Sequence, residues 1–145
     1  MESLNRYKAI LFDVGNTLVR QENSEIPIEQ LKVEVLPGVV DILEILNKKY
    51  RLGLVSNSRN LSANQIIEKL EKVGIAKYFE VAVSSFDIGV EKPNPEPLLV
   101  ALNKLAVSAA DSLYVGDNDS DRIAAKSAGM DFMFTSQNLF ESFMS

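Results

Sequence analysis

Acidic residues standing at the ends of apolar runs are the first sign of chemistry in this chain. Asp13 closes the run Ala9-Ile10-Leu11-Phe12 and precedes Val14-Gly15-Asn16-Thr17. A buried strand that ends at an acid and then a glycine gives a fixed carboxylate beside exposed backbone N–H groups, which can hold a phosphate. A second acidic cluster is Gly116-Asp117-Asn118-Asp119-Ser120-Asp121. If a helix begins inside it, Asp117 and Asp121 are spaced to face one point. Carboxylates gathered in this way raise each other's pKa unless a cation joins them. The chain contains no His and no Cys, so the ligands are all oxygen and magnesium is the natural cation. Two further segments offer donors: Ser56-Asn57-Ser58 after an apolar run, and Lys92 in the loop Gly89-Val90-Glu91-Lys92-Pro93. Each alone has an ordinary structural explanation. Asp13 can open a turn, Asp119 and Asp121 can favour a helix N-terminus, Ser56-Asn57 is common turn chemistry, and a loop lysine is usually a solvated charge.

The bulk composition narrows the chemistry further. The 145 residues fit one domain of ordinary size, with 46% hydrophobic and 24% charged residues, as in soluble globular proteins. A formal net charge of −5 argues against a nucleic-acid surface, which needs a basic face, but not against small anionic substrates. Without Cys there are no disulfides and no thiol nucleophile; without His there is no Ser-His-Asp chemistry and no histidine-bound zinc. Met1 to Lys8 reads as neither a signal peptide nor a membrane span, so a cytoplasmic location without membrane partners is the expectation.

The elements that must position these residues alternate along the chain. Strands are expected at Ala9–Val14, Arg51–Ser56, Glu80–Ser84, Ser112–Val115 and Phe132–Phe134. Leu36-Pro37-Gly38 opens a helix to about Tyr50. Asn60 or Ser62 caps another that Gly74 stops, Pro95 starts a third, and Asp119 or Ser120 begins a fourth that ends at Gly129. An amphipathic turn with Phe140 and Phe143 closes the sequence. Alternation of this kind specifies an α/β fold: a Rossmann-like three-layer sandwich around a central parallel sheet of about five strands. Ligands of such sheets bind beyond the carboxyl ends of the strands, where Asp13, Ser56-Asn57, Ser84-Ser85 and Gly116-Asp117 stand.

Taken in order, these segments resemble the four motifs of the haloacid dehalogenase superfamily. They are Asp13-Val14-Gly15-Asn16-Thr17, Ser56-Asn57, Lys92-Pro93, and Gly116-Asp117 with Asp121. The likeness runs from about residue 8 to residue 134. It implies that Asp13 is the nucleophile that becomes an aspartyl-phosphate, and that Ser56, Asn57 and Lys92 bind the phosphoryl oxygens. Lys92 would also offset charge on the nucleophile. Mg2+ would be held by Asp13, the backbone carbonyl of Gly15, and Asp117, with Asp121 as a ligand or an orienter of bound water. The substrate would be a phosphate monoester, small or macromolecular.

Two departures from that pattern matter. Phosphatases of the superfamily usually carry a second Asp two residues after the nucleophile as general acid and base. Here that position is Gly15, and such a group is worth about 10²–10⁴-fold in rate. The metal-independent 2-haloacid dehalogenase branch lacks this Asp as well, so dehalogenation competes, as does a weakly active or inactive phosphate-binding module. The pair Asp117/Asp121 favours the phosphatase, because clustered carboxylates call for a cation. The chain also lacks room for a cap. Nineteen residues separate Thr17 from Pro37, enough for a flap over residues 19–35 with Arg20, Glu22 and Glu25 but not for a helical domain. A single capless core is therefore expected, its open site covered by that flap or by a second copy in a homo-oligomer. Arg59, just after Ser56-Asn57, is a candidate substrate contact.

Overall fold

Five apolar runs become five parallel strands in the computed structural model of the chain, which describes residues 4–20, 32–136 and 138–144. They are β1 (Ala9–Phe12), β2 (Arg51–Ser56), β3 (Val81–Ser84), β4 (Ser112–Gly116) and β5 (Asp131–Phe134). The helices between and after them are α1 (Val39–Asn47), α2 (Ala63–Glu71), α3 (Ser85–Ile88), α4 (Glu96–Leu105), α5 (Asp119–Ala128) and α6 (Leu139–Met144). The strand order is β3-β2-β1-β4-β5. β1 is therefore central, and the order reverses between β1 and β4. Phe12 pairs with both Leu54 and Val115, so the residues just past β1, β2 and β4 emerge side by side at one edge.

Alternation along the strands divides the core into two faces. Ile10, Phe12, Leu52, Leu54, Leu113 and Val115 pack against α1, α2 and α6. Ala9, Leu11, Val55, Val83 and Tyr114 pack against Leu98, Leu102 and Leu105 of α4 and Ala124 and Ala125 of α5. Asp13 continues the alternation of β1, so its side chain falls on the second face with Leu11. The helices form because they bury these stripes rather than because they are well capped. α1 begins at Gly38, which makes no side-chain cap, yet buries Val39, Ile42, Leu43 and Leu46. At about 1.5–3 kcal/mol for each fully buried aliphatic side chain, that packing far exceeds the roughly 1 kcal/mol a cap contributes. α2 has both kinds of support: Ser62 and Gln65 form a reciprocal capping box, which settles the sequence-level choice between Asn60 and Ser62.

The architecture is the expected Rossmann-like α/β sandwich, with small shifts at its edges. β1 ends at Phe12 rather than Val14. The Asp13 N–H still bonds to the Val115 carbonyl at 2.9 Å, but the Val14 carbonyl turns inward to accept from Thr17, Leu18 and Val19. α1 stops at Asn47, short of Tyr50. The terminal turn is a helix, α6, which buries Leu139 and Phe143, and the short helix α3 has no counterpart in the sequence reading. Between β2 and Lys92 the chain is consumed by α2, a turn, β3 and α3. No cap is inserted there among the described residues. The two arms of the expected flap are paired, with bridges from Gly15 to Val19 and from Val19 to Val35. Its middle, residues 21–31 with Glu22 and Glu25, lies outside the described residues. No helix among the described residues is long and apolar enough to cross a membrane.

Candidate active site

A cavity of about 400 Å³ opens where β1, β2 and β4 end, and Asp13, Gly15, Ser56, Asn57, Lys92, Asp117 and Asp121 all line it. Every site residue expected from the sequence is thus brought to one place.

The strands and loops deliver them by different means. Asp13 is carried by the last β-type hydrogen bond of β1 and is 8% exposed. Thr17, buried one turn later, directs its hydroxyl at Asp13 Oδ2 from 3.4 Å. Asp121 lies in the first turn of α5, whose N-cap Asn118 accepts from the Asp121 N–H at 3.1 Å. That early helix start folds the Asp121 side chain back over the end of β4, and Gly116 makes the space for it. A Cβ on Gly116 would stand 2.5 Å from Asp121 Oδ2 and 2.6 Å from its Cβ and Cγ. The glycine is required by this contact, not by backbone conformation.

Lys92 joins the acids. Its Nζ lies 2.9 Å from Asp13 Oδ1, 2.8 Å from Asp121 Oδ1, 3.0 Å from the Val55 carbonyl and 2.6 Å from the Tyr114 hydroxyl. The side chain is 1% exposed, so the sequence-level alternative of a solvated loop charge does not hold. Asn57 sets where Lys92 starts from. Its side-chain amide accepts from the Lys92 N–H at 2.8 Å and donates to the Lys92 carbonyl at 3.0 Å. Both ends of the Asn57 amide are therefore committed to the lysine loop, and a phosphate contact by Asn57 would fall to its backbone N–H. Ser56 differs: it is only 9% exposed, faces the cavity, and makes no side-chain hydrogen bond among the described residues.

Tyr114 is the site residue that sequence reasoning did not single out. It is fully buried, and its hydroxyl lies 3.2 Å from both the Val55 carbonyl and Asp121 Oδ1. With Lys92 Nζ at 2.6 Å, it completes a shell of four oxygens around an ammonium that has three protons. The period of two along β4 puts Tyr114 on the same face as Gly116, three residues before Asp117, which is the signal that could have marked it.

The electrostatics follow from this packing. Asp13 is pushed above the ordinary carboxylate range, chiefly by burial and secondarily by Asp117, while Lys92 pulls it back. Asp121 is raised by burial and by Asp13, again against Lys92. Tyr114 is held well above 10, by burial first and then by Asp13 and Asp121. One carboxylate oxygen each from Asp13, Asp117 and Asp121 lies within 4.8 Å of the others. An all-oxygen set this close, with one cationic side chain for three acids, suits a hard divalent cation of the magnesium type.

With fold and geometry established, comparison with known proteins defines the class. The haloacid dehalogenase-like hydrolase model matches residues 13–135, and the chain belongs to that family. Among curated relatives, phosphoglycolate phosphatase of Salmonella choleraesuis (strain SC-B67) is 40% identical over 96 residues, which cover 66% of this chain and 37% of the relative. The matched segment thus spans little more than a third of that protein. An uncharacterized protein from Listeria monocytogenes serotype 4b superposes with a TM-score of 0.81 at 24% identity, over 89% of this chain and 78% of that one. A HAD-superfamily hydrolase of subfamily IA, variant 1, from Geobacter sulfurreducens PCA gives 0.77 at 17% identity, over 95% and 98%. At those identities the two structures speak for the fold alone.

Proposed function

We propose that this hydrolase is a magnesium-dependent phosphatase that cleaves a phosphate monoester through an aspartyl-phosphate on Asp13. The observation that carries the reading is the triple-carboxylate cluster of Asp13, Asp117 and Asp121, with buried Lys92 bridging Asp13 and Asp121. A dehalogenase has no use for such a cluster. The phosphatase named among the relatives supports the same choice. Residues 1–145 would form one hydrolase core, with residues 19–35 as a flap over the cavity.

Asp13, the Gly15 carbonyl and Asp117 would hold the ion. Both oxygens of Asp121 already accept bonds from Lys92, Tyr114 and the Asp117 N–H, so its part is to orient Lys92 and water at the site. Bound magnesium would supply positive charge to the phosphoryl oxygens. Ser56 donates its otherwise unused hydroxyl to one of those oxygens, while Lys92, whose protons are engaged by protein oxygens, places its positive charge behind Asp13. Asp13 Oδ2, more loosely held than the Oδ1 that faces Lys92, attacks phosphorus. The P–O ester bond breaks, and the departing alkoxide takes a proton from water or the substrate, because Gly15 offers none. Water then attacks the aspartyl-phosphate, releasing inorganic phosphate and restoring the Asp13 carboxylate.

The direct test is phosphate release from a panel of phosphate monoesters with and without magnesium. Release that depends on the ion is expected, and Asp13→Asn is expected to lower it by at least about a thousandfold, as loss of a nucleophile does. No release with magnesium, or halide release from 2-halo acids in a chelator, would overturn the reading. Gly15→Asp tests the missing acid. It should raise turnover on esters with poor leaving groups by up to about a hundredfold, and no gain means the proton is handled elsewhere.

A further inference from the structure

The chain has five arginines, and four of them have a carboxylate partner. Arg6 pairs with Asp131 at 2.7 Å, Arg20 with Glu34 at 2.7 Å, Arg51 with Glu80 at 2.8 Å, and Arg122 with Asp119 at 3.4 Å. Arg59 is the exception: among the described residues no carboxylate lies within ion-pair distance of it, and it lines the same cavity as Asp13. Glu91 also lines that cavity without reaching it.

The loop around Arg59 is held on both sides. Asn57 is clamped to the Lys92 backbone. The Ser58 N–H donates to the Ser85 hydroxyl at 2.8 Å, and that hydroxyl donates back to the Ser58 carbonyl at 2.9 Å. Ser58 Oγ in turn accepts from the Leu61 N–H at 3.0 Å. The backbone is fixed by these bonds, while the long cationic side chain of Arg59 lines the cavity that also holds Asp13, Asp117 and Asp121. A fixed loop lowers the ordering cost of binding through its side chain, and a guanidinium is suited to planar or tetrahedral oxyanions.

We infer that Arg59 forms a subsite for a second anionic group of the substrate, so that the preferred substrates are phosphate monoesters bearing a carboxylate or a second phosphate close to the ester. The inference rests on the phosphatase reading: the reacting phosphoryl group occupies the Asp13–Lys92 end, and the second anion lies toward the loop after β2. The neighbouring charge, not the size of the alcohol, then selects the substrate.

The test compares kcat/KM for three esters of similar size: ethyl phosphate, 2-phosphoglycolate and ethylene glycol bisphosphate. The protein is expected to favour one or both doubly anionic esters over ethyl phosphate by about tenfold or more, the scale of one charge-assisted contact. Which one it favours separates carboxylate from phosphate recognition. In Arg59→Gln that ratio should collapse toward one, carried by KM; Arg59→Lys should keep part of it, and Arg122→Gln, outside the cavity, should leave it in place. A wild-type ratio near one, or an unchanged ratio in Arg59→Gln, overturns the subsite while the phosphatase reading stands. If none of the three esters releases phosphate, the catalytic reading fails. The subsite is then judged by calorimetric binding of 2-phosphoglycolate and ethyl phosphate with magnesium. A preference for 2-phosphoglycolate that Arg59→Gln removes supports it, and equal binding of the two refutes it.

Discussion

The two strand-to-helix junctions that flank the nucleophile are built oppositely. After β4 only Asp117 and Asn118 precede α5, whereas after β2 residues 57–62 precede α2. The short junction leaves no slack. The helix starts at once, its first turn folds back on the strand, and Asp121 fills the space that a Cβ on Gly116 would need. The long junction has room to form a loop, tied down by amide and hydroxyl bonds, that points Arg59 outward into the cavity. One junction concentrates negative charge where burial makes it costly and Lys92 must offset it; the other uses neutral groups inside and leaves its cation near solvent. Junction length therefore decides which residues become buried chemistry and which become rim.

The comparison can be broken by removing what each junction depends on. Gly116→Ala carries the largest expected effect, a loss of about a hundredfold in magnesium affinity and turnover, the upper range for groups that orient metal ligands. The methyl group must displace Asp121, and a titration of activity against magnesium reads it. Should the enzyme keep its magnesium affinity, close packing at the short junction is not what sets the acids. Asn57→Ala comes next, with kcat down a few tens of fold, because the Lys92 loop loses both of its clamping bonds and small displacements of a catalytic group are costly. Steady-state kinetics should show this in kcat more than KM; a pure KM effect would reassign Asn57 to substrate binding. Tyr114→Phe is milder, about tenfold in kcat. It removes one oxygen of the four around Lys92, and an unchanged kcat would make Tyr114 ordinary core.

The smallest effect is on stability. Burial raises the native pKa values of Asp13 and Asp121 above those of an ordinary solvated aspartate. A carboxylate raised in the native state binds protons more tightly when folded, so the metal-free protein is most favoured below the ordinary value and loses stability as pH climbs through the raised native values. Magnesium bound as proposed would compete with those protons. The melting temperature should therefore rise by a few degrees on adding magnesium near neutral pH and hardly at all near about pH 4. An equal gain at both pH values would place the bound ion away from this cluster.

Much of the fold was legible because each strand is a short apolar run between turn signals and each long helix shows a clear apolar stripe. Burial fixes those patterns, so all five strands lie within two residues of expectation. The helix over Ser85–Ile88 was not legible: four residues carry no periodicity, and Ser84 caps it while also ending a strand. The acids, Ser56 and Lys92 were legible through their order along the chain. The duties of Asn57 and Tyr114 were not, because each depends on Lys92, 35 and 22 residues away. A strand tyrosine reads as core from sequence, and only the arrival of Lys92 turns its hydroxyl into part of the site.

The burial of Lys92 has a consequence for covalent labelling. Its Nζ is shielded by protein on every side and touches Asp13, 79 residues earlier in the chain. Reagents that modify amines in solution will reach it only when the end of β1 and the loop before α4 separate. The rate at which this one lysine is modified thus measures opening of the whole site, while modification of exposed lysines such as Lys49 and Lys104 reports little beyond contact with solvent.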